Sequence, residues 1–323
     1  MNALKLLSAA VLGVAISAPA LAAGYPEKPV TVVVPFPAGG ASDTTARVTT
    51  QKMQESLGQP IVVENKPGAN GSLGAGQVAK AKPDGYTLIV GSIGVYAINP
   101  ALYKSLPYDP AKDFDLLTVA VRTPNVLVAN PSFPASNVKE LVEYLKKNPE
   151  KVTFASSGAG SSDHLTAALF WQKTGTSGVH VPYKGGAPAI TDLIGGHADV
   201  SFQNLGAVSN HIKAGKLKLL AVTAEKRNPT FPDAPTMKEA GVEGVEVYSW
   251  QAVAAPKGLP ADVKGKLEQS LTSALNSPEV KGKFNDIGFE VVANTSGQFS
   301  EFLNQEINRW KNVVETGKIT ADQ

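Results

Sequence analysis

Residues 30–43 read V-T-V-V-V-P-F-P-A-G-G-A-S-D, and residues 152–163 read V-T-F-A-S-S-G-A-G-S-S-D. Each is an apolar, β-rich run followed by a glycine-rich turn and then Ser-Asp at the start of a helical pattern. A run without polar alternation is what a strand buried on both faces requires. The same strand signal recurs at Thr87–Val90, Val179–Val181, Val200–Phe202 and Leu217–Val222, with helical patterns between. Such alternation predicts an α/β protein with parallel sheets. In those sheets ligands bind beyond the carboxyl ends of the strands, where both glycine-rich turns would lie. Ordinary strand-to-helix turns use the same residue types, and periodicity alone leaves both readings open.

Working outward, Val138, Leu141, Val142 and Leu145 fall at i, i+3, i+4 and i+7, with Ser136 placed to cap the helix and Asn148-Pro149 to stop it. Val263, Leu267, Leu271 and Leu275 form a second stripe, and Leu303, Ile307, Trp310 and Val314 a third. No clear strand separates the last two, so the C-terminal segment is expected to fold back onto an earlier domain.

The chain has 323 residues, long enough for two domains. Its 30 basic and 28 acidic residues leave a charge of +2, with no block of like charges, which argues against nucleic acid as a partner. The absence of Cys removes disulfides, thiol catalysis and thiolate metal sites. Residues 1–23 carry Lys5, an apolar run from Leu6 to Ile16 and small residues from Ser17 to Ala23. That is the pattern of a signal peptide cleaved after Ala22 or Ala23, and the run is too short to span a membrane. An exported, periplasmic protein is therefore expected.

In the first loop, Gly39 and Gly40 allow close backbone approach, and Ser42 or Asp43 is placed to cap a helix ending near Leu57. In the second, Gly158 and Gly160 precede Ser161, Ser162 and Asp163. Helix N-termini present unpaired N–H groups and partial positive charge, so a small carboxylate is the natural guest. Neither loop contains Arg or Lys. Replacing Ser161 or Ser162 with a bulky residue is expected to abolish ligand stabilisation and leave the unliganded melt nearly unchanged.

Catalytic patterns are missing. No G-x-S-x-G or G-x-x-x-x-G-K occurs, both G-A-G triplets fail to complete G-x-G-x-x-G, and the His residues at 164, 180, 197 and 211 show no metal spacing. No nucleophile can be paired with a base from sequence, so no enzyme activity, metal or cofactor is expected. His180 reads as structural, whereas His164, in the first helical turn, either touches a ligand or orients the loop. Ile93 and Tyr96 follow one strand, Tyr183 and Lys184 another, and Gln203 and Asn204 a third, all at carboxyl ends. Their plainer readings are core for Tyr96, surface for Lys184 and backbone pairing for Asn204. Tyr96 and Tyr183 are the candidates for stacking on an aromatic ligand. Arg47 reads as a solvent-facing charge.

Six segments together resemble the Bug-type, TctC-like solute-binding receptors of the tripartite tricarboxylate transporter system. They are Y-P-E-K-P-V-T-V-V-V-P-F-P-A-G-G-A-S-D-T-T-A-R (25–47), E-N-K-P-G-A-N-G-S-L-G-A-G (64–76), A-K-P-D-G-Y-T-L (81–88), A-S-S-G-A-G-S-S-D-H-L (155–165), V-P-Y-K-G-G-A-P-A-I-T-D-L-I-G-G-H-A-D-V (181–200) and H-I-K-A-G-K-L-K-L-L-A-V-T (211–223). The resemblance implies a two-lobed, type II periplasmic-binding-protein fold, two sheets flanked by helices with hinge crossovers, that closes on its ligand. It places lobe 1 at residues 24–124 plus 249–323 and lobe 2 at 125–248, with hinges near 124 and 249. It implies a small carboxylate-type solute and permease subunits as partners, with a monomer as the default state; a periplasmic sensor docking on a signalling kinase is the alternative on the same fold. It also implies a pocket made by the loop from Phe36 through Ala38 to Asp43 and the loop from Ser157 through Ala159 to His164. Where many relatives carry Asp-Asn, this chain has Gln203-Asn204. Losing that acid makes an amino-acid ligand less favourable.

Overall fold

A computed structural model describes residues 24–321; the leader expected at 1–23 lies outside the described residues. Among those described, no helix is long and apolar enough to cross a membrane.

The β-branched run at residues 30–34 forms β1 (Val30–Val34), which lies parallel to β2 (Ile61–Asn65) and β3 (Thr87–Ser92) in the order β2-β1-β3. Antiparallel β9 (Tyr248–Pro256) follows β3 and joins it to β4 (Phe114–Ala129). Strand β4 is 16 residues long and takes part in both halves of the sheet. Its first part runs against β9 from Phe114↔Pro256 to Pro124↔Tyr248. From Asn125 onward it pairs instead with β7 (Val200–Asn204) and β8 (Lys218–Val222), beginning at Asn125↔Asn204. Beyond β7 lie parallel β5 (Thr153–Ser156) and β6 (Val179–Pro182), while the short β10 (Glu290–Val291) pairs with β4.

Apolar faces explain the helical layers. Helices α1 (Ala41–Leu57), α8 (Ala261–Asn276) and α9 (Pro278–Asp286) bury Met53, Leu267 and Phe284 with Val30 and Leu88 of the first sheet. Helices α6 (Gly186–Gly195) and α7 (Leu205–Lys213) bury Leu193 and Val208 with Val126 and Val128 of the second. A third cluster, into which α2 (Ser72–Ala79) and α3 (Asn99–Leu102) also pack, runs on under both sheets and joins Leu303 and Trp310 of α10 (Ser296–Gly317) with α5 (Ser162–Thr174) and with Leu141 of α4 (Val138–Lys147). The C-terminal helices do fold back: Ser56 of α1 and Ser270 of α8 bring their hydroxyls to 2.6 Å, and Gln172 of α5 donates to the Val313 carbonyl at 2.8 Å.

Two expectations change. Helix α4 is capped by Asn137, whose Oδ1 accepts the Glu140 N–H at 2.9 Å, not by Ser136. The Ser136 N–H donates to the Glu140 carboxylate at 2.7 Å, so that residue lies one step outside the helix. The sequence reading also lacked β2, β4 and β9. Strand β4 carries Arg122 and Pro124 inside an apolar run, and Pro disfavours a strand interior unless its missing N–H faces no partner.

Candidate functional site

The chain leaves β1 through Phe36–Gly40 and enters α1 with Gly40 at the N-cap and no side-chain cap. The predicted caps act elsewhere. Ser42 is buried, its Oγ donating to Gln251 Oε1 at 2.5 Å, because α1 packs its first turn against β9. Asp43, also buried, turns back to accept from the Gly39 N–H at 2.9 Å, Arg47 Nε at 3.0 Å and Asn65 Nδ2 at 2.9 Å. Burial acts against this carboxylate, and the bonds from Arg47, Gly39 and Asn65 outweigh it, so its pKa lies below the ordinary value. Arg47 is half-exposed but engaged by Asp43 and by Asn65 Oδ1 at 3.2 Å, which corrects the reading of a merely solvent-facing charge. Ala38, Gly39 and Gly40 are exposed and Phe36 is half-buried. What this corner offers a ligand is backbone, with Ser42 and Asp43 holding it in shape.

The second corner repeats the device. After β5, the chain turns through Ser157–Gly160 into α5, where Ser161 Oγ accepts the His164 N–H at 3.2 Å. Asp163, like Asp43, reaches back into its loop: it accepts the Ser157 N–H at 3.0 Å, the Ser157 hydroxyl, and Ser162 Oγ at 3.1 Å. Burial pushes its pKa up, against the pull of those bonds. His164 orients the loop, since its Nδ1 accepts the Gly160 N–H at 3.2 Å, which puts the ring hydrogen on Nε2. Its ring stacks on His180 at 3.7 Å and 1°. Burial first, and the His180 charge second, hold the His164 pKa down to about 3.

A nucleophile and a base do meet here, contrary to the sequence reading: Ser156 Oγ lies 2.6 Å from His180 Nε2. Ser156 is only 1% exposed, and its Oγ also accepts the Gly158 N–H at 3.1 Å. The pair fastens the loop, with the serine hydroxyl buried within it.

Of the flanking candidates, the 183–186 turn closes on this corner, with the Tyr183 N–H donating to Ser156 O at 3.0 Å and the Gly185 N–H to Ser157 O at 3.1 Å. The Tyr183 hydroxyl donates to Asp192 at 2.8 Å, and Lys184 is exposed. A Cβ on Gly186 would lie 3.3 Å from Ser157 Oγ and 3.5 Å from Gln203 Oε1, so these three positions share one space. Gln203 Nε2 donates to Ser201 Oγ at 2.9 Å, and Asn204 Nδ2 to Asn125 Oδ1 at 2.6 Å, so Asn204 bonds a side chain where backbone pairing was the plainer reading.

Ile93 and Tyr96 do not line the site. Tyr96 is fully buried, stacked on Trp250 at 5.9 Å with Phe114 and Phe299 edge-on, its hydroxyl 3.4 Å from Ala252 O. Ile93 is 1% exposed in the same core. After β3 the chain enters a π-helical turn at Gly94–Ile98, every residue of which is buried. Tyr96 is therefore unavailable for stacking on a ligand.

Asn70 was missed. It lies in the G-A-N-G turn at 68–71, a turn signal whose reach sequence cannot give. Its Nδ2 donates to Gly160 O at 3.0 Å and to Asn99 Oδ1 at 2.9 Å. On the other side, a Cβ on Gly71 would lie 3.0 Å from the Phe36 ring. The 68–71 turn thus joins the Phe36 corner to the Gly160 corner. A separate hollow, lined by Asn130, Phe133, Tyr144, Lys151 and Asp199, lies at the amino ends of β5 and β7, away from both corners.

A sequence profile for the tripartite tricarboxylate transporter family receptor (TctC) matches residues 45–319. The chain is 39% identical over 324 residues to Protein BugT of Bordetella pertussis, covering 98% of this chain and 99% of that one. It is similar to the solved structure of Rhodopseudomonas palustris Rpa4515 with adipate, at 37% identity and TM-score 0.85, over 92% of this chain and 99% of that chain. It is also similar to MatC from the same organism with bound malate, at 35% identity and TM-score 0.83, over 90% of this chain and 100% of that chain.

Proposed function

This chain belongs to the tripartite tricarboxylate transporter receptor family, and we propose that it is a periplasmic receptor that captures a small carboxylate and presents it to the permease subunits of such a transporter. The observation that carries the reading is the junction at Asn70, where one turn meets both the Phe36 corner and the Gly160 corner. Both corners offer backbone N–H groups without a fixed cation, which suits an anion held at helix N-termini. The relatives solved with adipate and malate support the same chemical class.

In this reading residues 24–124 and 249–323 form lobe 1 and residues 125–248 form lobe 2. The exchange of partners along β4, from Tyr248 opposite Pro124 to Asn204 opposite Asn125, supports hinges there. The ligand bridges the lobes and stabilises the closed state by its differential affinity. The reading assigns no bond chemistry and no cofactor, an export leader at 1–23, and a monomer. A thermal-shift screen over C4–C6 dicarboxylates, including malate and adipate, and the matching diamides tests it. An acid at about 100 times its dissociation constant adds roughly 2.7 kcal/mol, and the diamides add nothing. Equal shifts from diamides and acids, or none from any acid, would overturn the assignment.

A further inference from the structure

Beneath the 68–71 turn lies a buried polar network. Asn99 is fully buried, and its Nδ2 donates to Asn70 O at 2.9 Å and to Ser72 Oγ at 3.1 Å. Those acceptors fix which end of the Asn99 amide is which, so its Oδ1 faces Asn70 Nδ2 as an acceptor. Tyr108 completes the cluster by donating to Val95 O at 2.6 Å. The result is that Asn70 is held in the left-handed region, at φ 47 and ψ 41, which costs free energy for a residue with a side chain. Its amide then projects from the first lobe onto bare backbone of the second: Gly160 has φ +75, and a Cβ there would lie 2.8 Å from both Asn70 Nδ2 and Leu102 Cδ2. Gly160 is also the residue whose N–H is held by His164. One residue of the second corner is therefore fixed from its own lobe through its N–H and from the other lobe through its carbonyl.

We propose that Asn70 is a cross-cleft latch, a positioning residue that holds the receptor in its closed form before any ligand arrives. The inference rests on the two-lobed reading above and deepens it. A latch that closes the empty receptor lowers the ordering a ligand must impose, and it raises affinity without touching the ligand. Its chemistry is specific: only a donor at this position satisfies both Asn99 Oδ1 and Gly160 O.

The test uses the full mature chain without ligand. Because the chain has no Cys, Gln77→Cys and Lys139→Cys, both at exposed positions, give two unique spin-label sites, one on each side of the cleft. Asn70→Gly keeps the left-handed backbone and removes only the amide. The short-distance, closed population of the native protein is expected to fall about fivefold relative to the open one in Asn70→Gly, the effect of one net hydrogen bond. Asn70→Asp has the same shape but places a carboxylate against two oxygen acceptors, and it opens the receptor further. Unchanged distance distributions in both variants, or an open native protein without ligand, would overturn the latch. Since no ligand is added, failure to bind carboxylates would leave this result standing, and the two readings fail separately.

Discussion

The imidazoles of His164 and His180 lie parallel, 3.7 Å apart, directly under the loop that forms the second corner. Two rings at that separation cannot both carry charge, and burial disfavours charge on His164 before His180 is considered. With a folded pKa of about 3 against an ordinary 6.5, His164 stays neutral while the unfolded chain takes up a proton between those values. Its contribution to stability is therefore complete above about pH 6.5 and is lost on acidification toward pH 3. At pH 5 the loss is about 2 kcal/mol. His164→Asn offers an oxygen acceptor to the Gly160 N–H without a titrating ring, and it is expected to flatten the fall in melting temperature between pH 7 and 5. Identical pH profiles for the two proteins would remove His164 from this role.

Asn125 stands at the residue where β4 changes partners, fully buried, with Nδ2 donating to Thr166 Oγ1 at 2.9 Å and Oδ1 accepting from Asn204 at 2.6 Å. Asn125→Ala strips a partner from both α5 and the end of β7. A destabilisation of about 2 kcal/mol is expected in urea unfolding, with an unchanged m-value. A loss under 0.5 kcal/mol would mean these groups find other partners.

The serines of the second corner affect the empty protein as well as the liganded one. Ser161 caps α5, and Ser162 is only 7% exposed with its carbonyl accepting from Thr166 Oγ1 at 2.6 Å. Ser161→Ala is expected to lower unliganded stability by about 1 kcal/mol, and a bulky residue at 162 by more. This replaces the expectation, drawn from sequence, that such changes leave the unliganded melt nearly unchanged.

Gln203 brings a neutral amide to the space beside Ser157 and Gly186. A ligand ammonium gains no ion pair from it, so succinate and glutarate are expected to bind at least tenfold more tightly than aspartate and glutamate by calorimetry. Tighter binding of the amino acids would reverse this assignment.

The two glycine corners and most strands were legible because they rest on local signals: β-branched runs, Gly turns and apolar stripes. What sequence could not supply were relationships across distance. Ser42 looked like a cap, yet it bonds Gln251 on β9, a strand the sequence reading lacked. Tyr96 sat at a carboxyl end as expected, but the π-helical turn carried it into the core beside Trp250. Asn70 drew no notice because its partner lies 90 residues away. Strand β4 escaped because Arg122 and Pro124 interrupt its apolar run, although its length is buried almost throughout.

The most direct measurement is a crystal structure of the protein with whichever dicarboxylate gives the largest thermal shift. The account predicts one carboxylate group against the backbone N–H groups of residues 38–42 and the rest of the molecule against residues 157–162, with Asn70 still bonded to Gly160. A ligand seated instead in the hollow between Phe133 and Tyr144, with the two corners empty or apart, would contradict it.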